Sequence, residues 1–413
     1  TSPFGMNHAY AWDEWLVLSR RMGINWVRDW TLKWQWLEPE RGKMELAKAD
    51  FFINRPLRLG MKELVMFPFP SSVWAAEEPP KRPAKQRKLY RPIETAWRPR
   101  DVGAFKHYVQ ACVERYRDRI HDWEVFNESI FTSYSLPRSY GYEAADYVPL
   151  LAAAHEAIRA GDPKAYVIGG YSAPPGAHLG LYDTFIKLHG PDYCDAVSIH
   201  EYPGGEPEGC EQAAMNLVRK LEAAGKPRPL WLTEFAYYAD DDVAPTKNLS
   251  SWPPLVEGEK TQAEWLVRYC LLMMSARVER IFFHIWTTRV NYDGGQGLFF
   301  EADGEPHKVA VAVSAMAQRL GPEPEFLQRV DLGSEGRVCL LFRRGNTIVG
   351  AVWDAWTEDR CRGSAPRASW YDITGAPLAK APQRLTASPV FFETRGGVEE
   401  LARKLGRWAR VEE

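Results

Sequence analysis

Two glutamates end apolar, strand-like runs that lie far apart in the chain: Glu128 in "DWEVFNES" (122–129) and Glu234 in "PLWLTEF" (229–235). Neither run needs a charge to form a strand, so both carboxylates call for another reason to be there. Two carboxylates facing each other across a pocket are what cleavage of a glycosidic bond requires. One, protonated, donates to the leaving oxygen; the other, ionised, attacks or stabilises the anomeric carbon. Further polar groups end similar runs: Asn127 beside Glu128, Arg28 after "INWV", His200 and Tyr202 in "DAVSIHEY", His284 and Trp286 in "RIFFHIWT", and His8 in "FGMNHAY". A cation such as Arg28 beside Glu234 would keep that carboxylate ionised. Burial and a like charge would raise the proton affinity of Glu128.

The elements that must position these groups alternate along the chain. Strand candidates are 3–7, 24–28, 62–67, 122–128, 165–170, 196–200, 230–234 and 280–286, with amphipathic stretches between them and Gly or Pro at most joins. Eight β-α units in about 320 residues predict a (β/α)8 TIM barrel over 1–320, with its active site at the carboxyl ends of the strands. An open doubly wound sheet would carry a Gly-rich phosphate loop after its first strand, and "FGMNHAY" has none. Alternation puts Ala196, Ser198, His200 and Tyr202 on one strand face, Leu230, Leu232 and Glu234 on another, and Phe282, His284 and Trp286 on a third. Asn127 and Glu128 have opposite parity, so both line one pocket only if the strand twists or bulges there. From residue 321 to 413 the texture changes. "RVCLLFRRGNTIVGAVWDAW" reads as two strands around a Gly-Asn turn, and further strand-like runs and the tail "VEELARKLGRW" predict a small β-sandwich-like domain with a terminal helix.

With these residues placed, the chain resembles clan A of the retaining glycoside hydrolases, through "FNE" at strand four, "LTEF" at strand seven and the His-x-Tyr of strand six. The resemblance covers about residues 3–320, and barrel plus β domain is most similar to family 39, the β-xylosidase and iduronidase group. It implies Glu128 as acid/base, Glu234 as nucleophile and Asn127 as the ligand of the sugar 2-hydroxyl. It also implies Arg28, His200 and Tyr202 flanking the nucleophile, and Trp286 under the cleaved sugar. Clan members usually have Trp before that Asn and often Pro after that Glu; this chain has Phe126 and Ser129.

Other chemistries have less support. His8, His200, His284, Glu128 and Glu234 could ring a divalent ion as a metal-dependent barrel hydrolase would, but no HxH or HExxH spacing is present and Asn127 would have no role. No metal and no cofactor is therefore expected. A carbohydrate-binding barrel that has lost catalysis would usually lack one of the two carboxylates, and both are here. The net charge of -2 gives no sign of a nucleic-acid partner, and no apolar run is long enough for a membrane helix. The expected partner is a carbohydrate substrate; nothing speaks to oligomeric state. Six cysteines without a CxxC spacing read as free, no signal-peptide pattern stands at Thr1, and a secreted and a cytoplasmic location both stay open. The 17 tryptophans mostly read as core, with Trp34, Trp36, Trp74 and Trp97 as candidate sugar platforms on loops. The basic loop 68–100 reads as a solvated surface loop.

Overall fold

In the computed structural model, residues 2–7, 13–85, 88–239, 256–284, 298–300 and 304–410 are described. Eight parallel strands close a barrel in chain order: β1 (Phe4–Asn7), β2 (Trp26–Asp29), β3 (Lys62–Phe67), β4 (Asp122–Val125), β5 (Tyr166–Gly169), β6 (Ala196–Glu201), β7 (Leu230–Phe235) and β8 (Val278–Phe283). The helices between them are α1 (Asp13–Arg21), α2 (Trp34–Leu37), α3 (Ala47–Arg58), α4 (Val102–Tyr116), α5 (Ala144–Gly161), α6 (Leu179–Lys187), α7 (Glu211–Ala223) and α8 (Glu259–Ser275), with α9 (Lys308–Leu320) after β8. Local chemistry sets their ends. Asp101 caps α4 by accepting from the Ala104 amide, and Glu143 and Asp146 form a capping box on α5. Gly23, at φ +91, turns the chain from α1 into β2, where a Cβ would meet the Ala317 side chain at 2.7 Å.

The barrel interior has two layers of opposite character. Its floor is Trp26, Leu64, Ile168, Ala196, Trp231 and Phe282, a buried cluster in which Trp26 and Trp231 meet edge to face at 5.9 Å. Gly5 is required there, because a Cβ would lie 2.5 Å from the Phe282 ring. Above the floor, toward the carboxyl ends, the lining becomes polar: Arg28, Glu124, Ser198, His200 and Thr233 are all buried. The sequence reading of β7 placed Leu230 and Leu232 with Glu234. In the structure Leu230 and Leu232 belong to the core under the helices, while Trp231 fills the floor.

Six antiparallel strands follow, in the order β13-β12-β14-β11-β10-β9: β9 (Glu325–Arg329), β10 (Arg337–Arg344), β11 (Thr347–Asp354), β12 (Ser369–Tyr371), β13 (Pro377–Leu378) and β14 (Val390–Thr394). The Gly345-Asn346 turn joins β10 to β11, pairing Arg344 with Thr347. Alternation divides this sheet between two cores. Val338, Leu340, Phe342, Val349, Ala351 and Trp353 join the cluster of the barrel helices. Cys339, Leu341, Ile348, Val352 and Phe392 pack instead against Leu401, Leu405 and Trp408 of α10 (Val398–Ala409). All six cysteines are free. Among the described residues no helix is long and apolar enough to cross a membrane.

Candidate active site

Three departures from regular strand geometry bring the polar groups together. The first is at the end of β4. Trp123 and Val125 pack outward and Glu124 points inward, so Phe126 would point inward next. Instead Phe126 takes φ +64 and stays outward against Phe105 and Tyr147. Glu128 itself lies at φ +43. These two left-handed residues break the alternation and direct both Asn127 and Glu128 to the barrel mouth. Non-glycine residues in this region cost about 1 kcal/mol each and persist where the surroundings enforce them.

The second departure is a bulge in β7. Ile199 pairs with Leu232, but the next β6 residue, His200, pairs with Glu234. Thr233 is the extra residue, so Thr233 and Glu234 both face the interior while Phe235 stacks outward on Tyr269 at 4.2 Å. The third is the matching irregularity between β7 and β8, from Leu232 to Phe235. Just past β8, His284 meets Glu234.

Arg28 is the hub. Fully buried, it donates from Nε to Glu124 Oε2 at 2.6 Å, from Nη1 to Asn7 Oδ1 at 2.8 Å and Glu234 Oε2 at 3.1 Å, and from Nη2 to Asn127 Oδ1 at 2.8 Å. Glu124 is its counter-ion deep in the barrel. Around Glu234 stand the Tyr202 hydroxyl, donating to Oε1 at 2.5 Å, and His284 Nε2, 3.4 Å from the same oxygen. His284 Nδ1 sits 2.9 Å from the Tyr238 hydroxyl. His200 bridges the two acidic groups, with Nδ1 3.1 Å from Glu128 Oε1 and 3.7 Å from Glu234 Oε2.

The hydrogen bonds also fix the His200 tautomer. Thr233 donates its hydroxyl proton to Glu124 Oε1 at 3.0 Å, so its oxygen accepts from His200 Nε2, 3.1 Å away. Burial pushes the His200 imidazole down to about 3, so the ring is neutral and carries its one proton on Nε2. Nδ1 is then an acceptor, and Glu128 must be the donor. This agrees with the electrostatics. Burial, then the charge of Glu234, raises Glu128 well above its ordinary 4.5, against the pull of Arg28. Burial also opposes ionisation of Glu234, but His284, Arg28 and the Tyr202 hydroxyl outweigh it and hold that carboxyl well below the usual range. Arg28 is the one permanent charge among them, since burial depresses both histidines. The surroundings therefore favour a proton on Glu128 and a charge on Glu234.

Of the residues singled out in the sequence, Arg28, Asn127, Glu128, His200, Tyr202, Glu234 and His284 converge here. His8 and Trp286 lie outside the described residues. Asn7, Glu124, Thr233 and Tyr238 were not singled out as site residues. The signal for Glu124 was available, because a buried Arg28 demands an inward carboxylate and Glu124 has the parity to supply one. Glu128, His200 and Glu234 also offer ligand atoms within 4.8 Å of one another. Arg28 already supplies positive charge against Glu234, so a divalent cation would have to sit beside a fixed guanidinium. Among the candidate sugar platforms, Trp34 and Trp97 are buried and Trp74 packs edge-on to Trp34, whereas Trp36 is 38% exposed beside the mouth.

No protein-family model matches the chain, and no curated protein matches its sequence. Solved structures do match. A family 39 glycoside hydrolase from the gut symbiont Bacteroides cellulosilyticus WH2 aligns with TM-score 0.71 and 18% identity over 94% of this chain and 80% of that one. A GH30 endoxylanase from Clostridium papyrosolvens C71 aligns with TM-score 0.62 and 15% identity, covering 95% and 96% of the two chains. A GH39 β-xylosidase from Caulobacter crescentus gives TM-score 0.59 and 15% identity with the same coverage. The chain thus has the barrel-plus-β-domain fold of these family 39 and family 30 glycoside hydrolases, the fold that the resemblance to clan A implies.

Proposed function

We propose that this chain is a retaining glycoside hydrolase acting on an oligo- or polysaccharide by double displacement. The reading rests on one observation above all. Carboxylate oxygens of Glu128 and Glu234 lie within 4.8 Å of each other, and their surroundings push their proton affinities in opposite directions. Retaining enzymes hold their carboxyl groups about 5–5.5 Å apart, whereas inverting enzymes leave about 6.5–9.5 Å for a water.

In this reading Glu234, ionised beside Arg28, attacks the anomeric carbon while Glu128 protonates the departing oxygen. Glu128, now a base, takes a proton from water, which hydrolyses the glycosyl-enzyme. In its resting state Glu128 donates to His200 Nδ1, which keeps it protonated until a leaving oxygen takes that proton. Tyr202 and His284 hold the Glu234 carboxylate in place. Arg28 occupies the Asn127 oxygen, which leaves the amide NH2 of Asn127 as the donor for a sugar hydroxyl. The fold of the glycoside hydrolases described above supports the same assignment.

The test is a screen of aryl glycosides and polysaccharides with the purified protein, followed by proton NMR of the first-formed product. Retention of the anomeric configuration is expected. Prompt appearance of the opposite anomer, or no turnover of any glycoside, would refute the reading.

A further inference from the structure

A cavity of about 450 Å³ opens between the loops that follow β2 and β3. Two of its wall residues, Trp30 and Arg91, link it to the elements that carry the carboxylates. Trp30, in its wall, stacks with its ring centre 5.5 Å from the Arg28 guanidinium carbon. Arg91, also in the wall, donates to the backbone oxygens of Ser133 at 2.7 Å and Tyr134 at 3.2 Å. Those residues lie in the loop that begins with Glu128, whose own carbonyl accepts from Thr132 at 2.7 Å.

The lining is aromatic and cationic. Trp30, Trp36, Phe69 and Tyr90 supply ring faces, and Lys33 and Arg91 supply the charge. Arg91 was part of the basic loop read as solvated. Lys81, Arg82, Lys85 and Lys88 of that loop are indeed exposed, but Arg91 is drawn in. Its guanidinium lies 4.0 Å over the Phe69 ring, and its other partners include the Thr95 hydroxyl, the Pro92 carbonyl and the Tyr90 side chain. Among the described residues neither Arg91 nor Lys33 has a carboxylate within ion-pair distance, and the buried Arg91 Nε has no hydrogen-bond partner. Asp29, the acidic group nearest to Lys33 in effect, already accepts from the Thr31 amide and hydroxyl. Burial, and more weakly the proximity of Arg91, lower the proton affinity of Lys33 against the opposing charge of Asp29.

We propose that this cavity is a distal subsite for an anionic sugar residue, a uronate or a sulfated sugar, of the glycan cut at Glu128 and Glu234. The inference rests on the hydrolase reading of the barrel mouth and adds the substrate class. Ring faces such as Trp36 and Tyr90 stack on the apolar face of a pyranose, while Lys33 pairs with its carboxylate or sulfate and the nearby Arg91 adds positive charge.

The experiment is a tryptophan-fluorescence titration of the full chain with glucuronate, glucose 6-sulfate and glucose. At least one anionic sugar should bind about tenfold or more tighter than glucose, the scale of one charged hydrogen bond, and the two arms separate carboxylate from sulfate. The preference should vanish in Lys33→Ala and reverse in Lys33→Glu, while turnover of a small nitrophenyl glycoside is unchanged. Equal binding of all three sugars, or a preference that survives in Lys33→Ala, would overturn the subsite. The two readings fail separately: anion preference without any glycoside turnover sinks the hydrolase, and turnover without anion preference sinks the subsite.

Discussion

The roles proposed for Glu128 and Glu234 come down to which of them holds a proton, and their neighbours bias it. Glu234 faces Arg28 at 3.1 Å; Glu128 faces a neutral imidazole that can only accept. The rate should therefore rise with pH as Glu234 ionises, in a range below the ordinary carboxylate value, and fall as Glu128 loses its proton, well above 4.5. The profile of kcat/KM reports these free-enzyme ionisations. In Glu128→Gln, assayed with a dinitrophenyl glycoside whose leaving group needs no proton, the alkaline limb should disappear. An alkaline limb unchanged in that variant would assign it to another group. Arg28 is also where the sequence was most informative and least complete. A strand-ending arginine pointed to Glu234, but the four side chains it holds include Glu124 and Asn7, whose parts become visible only once the strands are side by side.

At the scale of elements, the eight strands and their helices were legible because apolar runs of strand length alternate with amphipathic runs of helix length. The irregularities were not. Nothing in "PLWLTEF" marks Thr233 as an extra residue, and simple alternation put Leu232 inside when Trp231 fills the barrel floor. At β4 the opposite parity of Asn127 and Glu128 did announce a break, which the left-handed Phe126 supplies. The β7 bulge can be tested through Thr233, whose hydroxyl links Glu124 to His200. Thr233→Val keeps the shape and removes the link. It should cost about 1–3 kcal/mol in urea unfolding, because buried groups on both sides lose their partner. It should also free His200 to carry its proton on Nδ1, where it stabilises the Glu128 carboxylate and moves the alkaline limb of the rate profile to lower pH. Unchanged stability together with an unmoved limb would show that the bulge does not set the tautomer.

Over the whole molecule, the change of texture near residue 321 marks a change of architecture, yet one face of the new sheet belongs to the core of the barrel helices. Trp353 of β11 lies among the buried residues of the barrel helices and donates to Glu208 at 2.8 Å, and Glu208 pairs with the buried Arg268 of α8 at 2.7 Å. Calorimetry should accordingly show one cooperative transition for the full chain, and a fragment ending at residue 320 should aggregate as this face is uncovered. Two well-separated transitions would contradict that. The function proposed for the assembled barrel mouth is tested most directly by the anomeric configuration of azide products. With Glu128→Ala and a dinitrophenyl glycoside, the glycosyl-enzyme on Glu234 should accumulate after a burst, and added azide should release a glycosyl azide of retained configuration. Azide with Glu234→Ala should give only the inverted azide. Exchange of these two outcomes would reverse the roles of the carboxylates, and wild-type rates in both variants would place catalysis elsewhere.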